Sequence, residues 1–336
     1  MRVVMMRKPG PPDVLEAGRM PQPEIESPTE VLVRVEAAGI NPVDTKIRAR
    51  GPMIDEGLPC ILGCDGAGVV EAVGRDVRHI GIGDAVYYCY GGLGRRRTGN
   101  YAEYAIVDAA YIAPKPDSLD FVQAAAAPLV LITAWEALFD RARLGKGQKV
   151  LIHAGAGGVG HVAIQLARIA GAEVATTVST EAKADFVRSL GADRVIRYRQ
   201  EDTQAAVMDW TGGRGVDIAF DTVGGDVFKQ SIPLVRFYGE LVTILQVPEN
   251  ADWKAARLRN LHISQELMLS PQLFGLGEGA HQAGILADCA GHIDAGRLGI
   301  HVADTLPLEQ AAEAHRRIER GGMTGKLVLI NRDQEG

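Results

Sequence analysis

Between residues 30 and 37, Val31, Val33 and Val35 alternate with Leu32, Arg34 and Glu36. This two-residue period predicts a strand with one regularly buried face. Shorter apolar runs follow at 68–73, 85–88 and 101–107, separated by glycine-bearing turns such as Gly81-Ile82-Gly83-Asp84. Short strands with close turns predict a compact β-barrel over the first third of the chain.

The pattern changes near residue 120. Residues 121–141 are alanine-rich and suit a helix except at Pro128. Strands and helices then alternate: strand 149–154, helix 159–170, strand 173–178, helix 181–190, and strands at 194–196, 217–221 and 240–245. Alternation at these lengths predicts a doubly wound parallel sheet. A further edge strand is expected at 261–269, a helix near 280–295, an amphipathic helix at 308–320 and a last strand at 326–330. The expected fold class is α/β.

The length of 336 residues favours two domains over one. A net charge of −6 argues against a nucleic-acid surface, which needs clustered positive charge. Cys60, Cys64, Cys89 and Cys289 show no disulfide spacing, so reduced thiols in a cytoplasm are the simpler reading. The first residues hold no stretch suited to a signal peptide, and no run of about 18 apolar residues predicts a membrane span.

The strongest chemical signal is a turn. The strand Lys149-Val150-Leu151-Ile152-His153-Ala154 runs into Gly155-Ala156-Gly157-Gly158-Val159-Gly160, with a helix directly behind. This G-x-G-x-x-G pattern binds dinucleotides. The first glycine permits a tight turn, the second lets backbone N–H groups approach a pyrophosphate, and the third lets helix and strand pack closely. The helix N-terminus adds partial positive charge. A site for NAD usually places an acid after the second strand. Here that stretch reads Thr176-Thr177-Val178-Ser179-Thr180, with no acid before Glu181. Ser179 can donate to a 2′-phosphate and Lys183 can neutralise it, which selects NADPH.

Several segments in order resemble the medium-chain dehydrogenase/reductase superfamily, and within it the zinc-free quinone oxidoreductase and enoyl reductase branch. They are Gly39-Ile40-Asn41-Pro42-Val43-Asp44, residues 66–74, Gly83-Asp84-Ala85-Val86, Tyr101-Ala102-Glu103-Tyr104, Pro128 with Thr133-Ala134-Trp135, the turn above, Asp221-Thr222-Val223-Gly224-Gly225, and Gly325-Lys326. The resemblance implies a GroES-like catalytic domain over 1–122, a Rossmann NADPH-binding domain over 123–270, and a return segment 271–336 completing the first. It implies an active site in the cleft between them. Asn41 and Thr133 would approach the nicotinamide end, with Asp221, Thr222, Val223 and Gly224 lining the same stretch. Tyr198 would pack near the adenosine phosphate. Lys326 would lie on the phosphate side or near the nicotinamide ribose. Relatives often form homodimers through an edge strand of the Rossmann sheet, here 261–269.

Zinc-dependent relatives use a Cys before the first helix of the pocket, a His-Glu pair in the Gly-x-x-Gly turn and a later Cys. Those positions here read Asn41, Cys64-Asp65 and about Leu129, so no metal is expected. Cys64 with Asp65 would need a third ligand, such as Cys60. Without a metal, hydride from NADPH would reduce a quinone or an α,β-unsaturated ketone, and oriented donors would stabilise the oxygen. Lys46 is the candidate proton donor, sharing a side with Asp44 if this stretch is extended; many relatives carry tyrosine there. The Asn41 amide can bind cofactor or substrate oxygen. Tyr101 is a donor or a core aromatic. Arg95-Arg96-Arg97 is a solvated run or a lure for anionic substrates. His153 is expected to be packed rather than a base. The alternatives are a zinc-dependent alcohol dehydrogenase and a non-catalytic NADPH-binding protein.

Overall fold

The computed structural model describes residues 1–331. The chain opens with β1 (Arg2–Met6), β2 (Leu15–Arg19) and the long β3 (Glu30–Ile40). Val31, Val33 and Val35 all enter one core cluster with Val70, Val86 and Val107, as their alternation requires. Asn41 ends β3 and opens α1 (Pro42–Arg50). Pro42 sits at the first helical position, where its missing N–H has no intrahelical acceptor to lose. Then come β4 (Cys60–Ile61), β5 (Asp65–Val73), β6 (Ala85–Cys89), β7 (Tyr104–Asp108), β8 (Ile112–Pro114) and α2 (Phe121–Ala126).

Pro128 divides the alanine-rich stretch. α3 (Pro128–Trp135) starts on it and runs into a π-helical turn over Glu136–Arg141. Strands and helices then alternate as β9 (Lys149–Ile152), α4 (Gly158–Ile169), β10 (Glu173–Val178), α5 (Glu181–Ser189), β11 (Arg194–Arg197), α6 (Thr203–Trp210), β12 (Val216–Asp221), α7 (Asp226–Ser231), β13 (Val235–Thr243), α8 (Trp253–Leu258) and β14 (His262–Gln265). The last segment holds α9 (Ser270–Phe274), α10 (Gly279–Asp294), β15 (Val302–Pro307), α11 (Ala311–Arg320) and β16 (Lys326–Ile330).

The chain forms two compact units. The barrel unit comprises Met1–Leu129, Leu269–Gly296 and the chain from Ile300 onward. Its main sheet runs β15-β16-β3-β5-β6-β8, with β7 also on β3, and a smaller sheet runs β2-β1-β4. β16 pairs antiparallel with β3, Leu327 opposite Ile40, which brings the C-terminal strand beside Asn41. The parallel-sheet unit comprises Val130–Met268 with Arg297–Gly299. Its strands run β11-β10-β9-β12-β13-β14, all parallel. The order reverses direction between β9 and β12, the switch point where such sheets bind ligands.

β13 begins five residues before the expected strand at 240–245. Val235 is buried, but the polar or exposed Arg236, Phe237 and Tyr238 interrupt the apolar run, and the pairing with β12 carries an irregularity there. The edge strand is shorter than expected, four residues instead of nine. The core of the parallel-sheet unit gathers Leu151, Ala175, Ile196, Ala219, Phe228, Ile232 and Leu241. Phe228 is fully buried there. Phe228→Ala is therefore expected to lower stability by about 3–5 kcal/mol, read as a lower urea midpoint.

Candidate active site

In the parallel-sheet unit the glycine turn follows β9 directly. Gly155 N–H donates to Thr177 O at 3.1 Å, and Gly157 N–H donates back to Ala154 O at 2.9 Å. The left-handed residue is Ala154, at φ 51°, and Gly155 has no positive φ. Gly155 is thus required for space rather than for a left-handed turn, because an added Cβ would strike the Thr176 hydroxyl. Gly160 fits its expected role, since a Cβ there would strike Ala154 O and the Gly155 backbone. No side chain caps α4, so the N–H groups of Gly158, Val159 and Gly160 have no intrahelical acceptor. A cradle that side chains would fill, at a positive helix end, fits the pyrophosphate of a nicotinamide nucleotide.

A cavity of about 730 Å³ lies at the carboxyl ends of the strands, lined among others by His153, Ala154, Thr177, Tyr198 and Val223. Just past β10, Thr180 caps α5, accepting the Lys183 N–H at 3.3 Å. Ser179 is half-buried and Lys183 half-exposed beside it. Partial burial, and then the nearby Arg199 guanidinium, pull the Lys183 ammonium below its usual range. Arg199 stands 6.0 Å from the half-exposed Tyr198 ring. Neither cation has a carboxylate partner among the described residues. Arg199 escaped the sequence reading; its signal was its position one residue after Tyr198, just past β11.

Asp221 is fully buried and its oxygens are occupied. Oδ1 accepts from Val223 N–H at 2.9 Å and Gly224 N–H at 2.8 Å, and Oδ2 accepts from Thr243 Oγ1 at 2.9 Å. It shapes the turn that presents the half-exposed Val223. The Thr222 hydroxyl donates to His153 O at 2.7 Å. The His153 ring is partnered on both nitrogens, by Thr177 and Ser231. Burial lowers its pKa to about 4, against the pull of Asp221. Thr133 is buried on α3.

The barrel unit holds a second polar cluster. Asn41 Nδ2 donates to Asp65 Oδ2 at 2.9 Å, and the Lys326 ammonium donates to Asn41 Oδ1 and, at 3.2 Å, to Asp65 Oδ2. Asp65 Oδ1 accepts the Leu129 N–H at 2.8 Å. All three side chains are buried. Lys326 thus lies with Asn41 and Asp65 in the barrel unit, and it is the residue that register puts at the start of β16. Asp44 accepts the Asn41 N–H at 2.8 Å, and burial followed by repulsion from Asp65 raises its pKa to about 6. Burial also pushes the Cys64 and Cys89 thiols well above their usual range.

Tyr101 is fully buried, its hydroxyl 3.4 Å from Asp44 Oδ2 and 3.0 Å from His315 Nε2. If the hydroxyl donates to Asp44 it accepts from Nε2–H, leaving only the bare lone pair of Nδ1 unpartnered. That is the cheaper arrangement, because an orphan N–H is the rarer defect. His315 was missed by sequence reasoning, although Ala311, Ala314 and His315 fall at helical spacing and are the buried face of α11. Lys46 differs from expectation. The stretch after Asn41 is helical rather than extended, so a two-residue offset points the side chains apart. Asp44 is buried and Lys46 exposed. Of the arginine run, Arg97 pairs with Glu26 at 2.8 Å and Arg95 with Glu56 at 3.6 Å.

A parallel-sheet unit with a glycine turn at its switch point and a barrel unit with a buried polar cluster together define a nicotinamide-nucleotide oxidoreductase. The alcohol dehydrogenase GroES-like family matches residues 27–117 and the zinc-binding dehydrogenase family residues 190–329. A quinone oxidoreductase of Pseudomonas aeruginosa is 35% identical over 96% of this chain and 97% of its own. A solved alcohol dehydrogenase superfamily protein from Novosphingobium aromaticivorans superposes at TM-score 0.91 with 33% identity, over 99% of this chain and 100% of that one. The Escherichia coli quinone oxidoreductase complexed with NADPH gives 0.87 and 30%, over 98% and 100%. The chain belongs to the medium-chain dehydrogenase/reductase superfamily. No helix among the described residues is long and apolar enough to cross a membrane.

The family's zinc does not fit these residues. Asn41 is a poor ligand whose amide is engaged on both sides, Asp65 is engaged on both oxygens, and Leu129 offers only a backbone N–H. No group of three or more His, Cys, Asp and Glu suited to a metal occurs among the described residues.

Burial, and secondarily Arg48, depress the His315 pKa to about 3. The unfolded chain therefore takes up this proton first, near pH 6.5, and the stability present above that value is lost as pH falls toward 3. Asp44 has the opposite sign, its contribution being full below about 4 and lost as pH rises through about 6. His315→Gln keeps a polar partner for Tyr101 and removes the titration. It is expected to narrow the stability loss between pH 7 and pH 5 by about 2 kcal/mol in urea unfolding.

Proposed function

We propose that this protein uses NADPH to reduce a quinone or an α,β-unsaturated carbonyl compound without a metal. The observation that carries the cofactor choice is the end of β10: no acid stands there, Arg199 lies near enough to act on the Lys183 charge, and neither has a carboxylate ion-pair partner among the described residues. Such a pair of cations suits an anion, and a 2′-phosphate is the anion that distinguishes NADPH. Gly155, Gly157, Gly158, Val159 and Gly160 would hold the pyrophosphate. Ser179, Lys183, Tyr198 and Arg199 would hold the adenosine phosphate, and Thr222 to Gly224 would line the nucleotide's path.

When bound, the reduced nicotinamide supplies a hydride. The substrate class follows from the donor set in the barrel unit. Asn41, Asp65 and Leu129 give no Lewis acid to polarise an isolated carbonyl. Quinones and enones spread the developing negative charge through conjugation and need less help. In the barrel unit the exposed Lys46 is assigned as the proton donor, with Asn41 oriented by its two buried partners; in the parallel-sheet unit Thr133 is assigned to the nicotinamide end. Asp44 and Tyr101 act through Asn41 and α1 rather than on substrate. The similarity to quinone oxidoreductases supports this reading. The edge strand β14 is assigned as the seam of a homodimer, since its outer edge has no partner strand among the described residues.

A panel of quinones, enones and simple aldehydes tested with NADPH addresses the activity. Turnover of quinones or enones is expected, and turnover of aldehydes alone contradicts the proposal. Lys183→Glu is expected to weaken NADPH binding by roughly 10–100-fold and leave NADH nearly unchanged, measured by fluorescence titration. Equal loss for both nucleotides removes Lys183 from the phosphate site.

A further inference from the structure

Three sequence positions in the barrel unit correspond to the metal-binding positions of zinc-dependent relatives. In this chain they hold Asn41, Cys64-Asp65 and Leu129. The structure brings them together around one positive charge. The Lys326 ammonium, carried in by the first residue of β16, donates to Asn41 Oδ1 and Asp65 Oδ2. Leu129 turns its N–H onto the other Asp65 oxygen. Asp44 lies one hydrogen bond away, through the Asn41 N–H, and the Cys64 thiol points at its Oδ1 at 3.5 Å. Lys326 and Asp65 have side chains only 4% and 0% exposed, so water screens neither.

We propose that Lys326 is the resident cation of this site: its ammonium takes the metal's place, neutralises Asp65, fixes Asn41 and makes the site refuse divalent ions. The physical reason is charge balance. A buried carboxylate needs a counter-charge, and the barrel can obtain one from a metal or from a lysine. A lysine at the start of β16 reaches it because β16 pairs with the end of β3, where Asn41 sits. With the ammonium removed, Asp65 keeps its buried position and its bonds to Asn41 and Leu129 but loses its counter-charge, and no group of His, Cys, Asp and Glu among the described residues is arranged to hold a metal in its stead. Lys326 is thus a positioning residue, acting through Asn41 and Asp65.

The test uses the full chain under reducing conditions and reads metal content and Tm. Wild type incubated with Co²⁺ or Zn²⁺ and then desalted should retain no stoichiometric metal. Lys326→Ala should melt roughly 10 °C lower. A wild-type chain that holds stoichiometric metal overturns the proposal. So does a folded Lys326→Ala chain that melts as the wild type does. If the alanine variant does not fold, Lys326→Met combined with Asp65→Asn removes both charges together. That pair should recover most of the wild-type Tm and bind no metal, and a double variant that is no more stable than the single one overturns the neutralising role. None of these readouts needs turnover, so the inference fails or holds separately from the substrate reading.

Discussion

The barrel unit depends on one buried ion pair, Lys326 with Asp65, and on the amide that joins them. An uncompensated carboxylate at Asp65 would be expensive in this interior. It has four engagements instead: the Asn41 amide, the Lys326 ammonium, the Leu129 N–H and the neighbouring Cys89 thiol. Those partners come from β3, β16, α3 and β6. The same contacts that balance the charge therefore tie the C-terminal strand, the chain at Leu129 and the barrel sheet to one point. A buried pair of this kind adds little net stability, but losing one member costs about 3–5 kcal/mol. It specifies an arrangement more than it strengthens one.

From that point the polar network runs outward through Asp44, Tyr101 and His315. Its protonation is asymmetric. Asp44 is raised by burial and by Asp65, while His315 is lowered by burial and by Arg48. Near neutral pH the interior thus holds an ionised Asp44 and a neutral imidazole, bridged by a tyrosine that stays protonated because burial lifts its pKa well above 10. The parallel-sheet unit solves a different problem. Its glycine turn leaves the first N–H groups of α4 without intrahelical acceptors, and Lys183 and Arg199 have no carboxylate ion-pair partner among the described residues, an arrangement suited to a phosphorylated ligand.

The architecture was legible where periodicity and glycine punctuation agree. The valine alternation in β3, the β/α alternation after residue 149 and the turn at Gly155–Gly160 all describe the observed elements. Less was visible where contacts are long-range. Nothing near Lys326 in sequence says that β16 will pair with β3 and deliver an ammonium to Asn41, 285 residues away. Lys46 was misplaced because a strand and a helix both follow a polar cap, and only the capping contact from Asp44 to Asn41 decides for the helix. Gly155 was read correctly as obligatory, but for the wrong reason: the crowding comes from Thr176 on the next strand, and Ala154 carries the left-handed backbone. Arg199 and His315 were hidden because their partners lie in other elements.

The cation of the barrel unit is the chain's own Lys326, and the proposed reduction needs no other. The most direct measurement combines elemental analysis with NADPH oxidation by quinones and enones on one chelator-treated, metal-depleted preparation. Turnover equal to that of untreated protein is expected, with no gain on adding zinc. Activity that disappears on chelation and returns with stoichiometric zinc would contradict it.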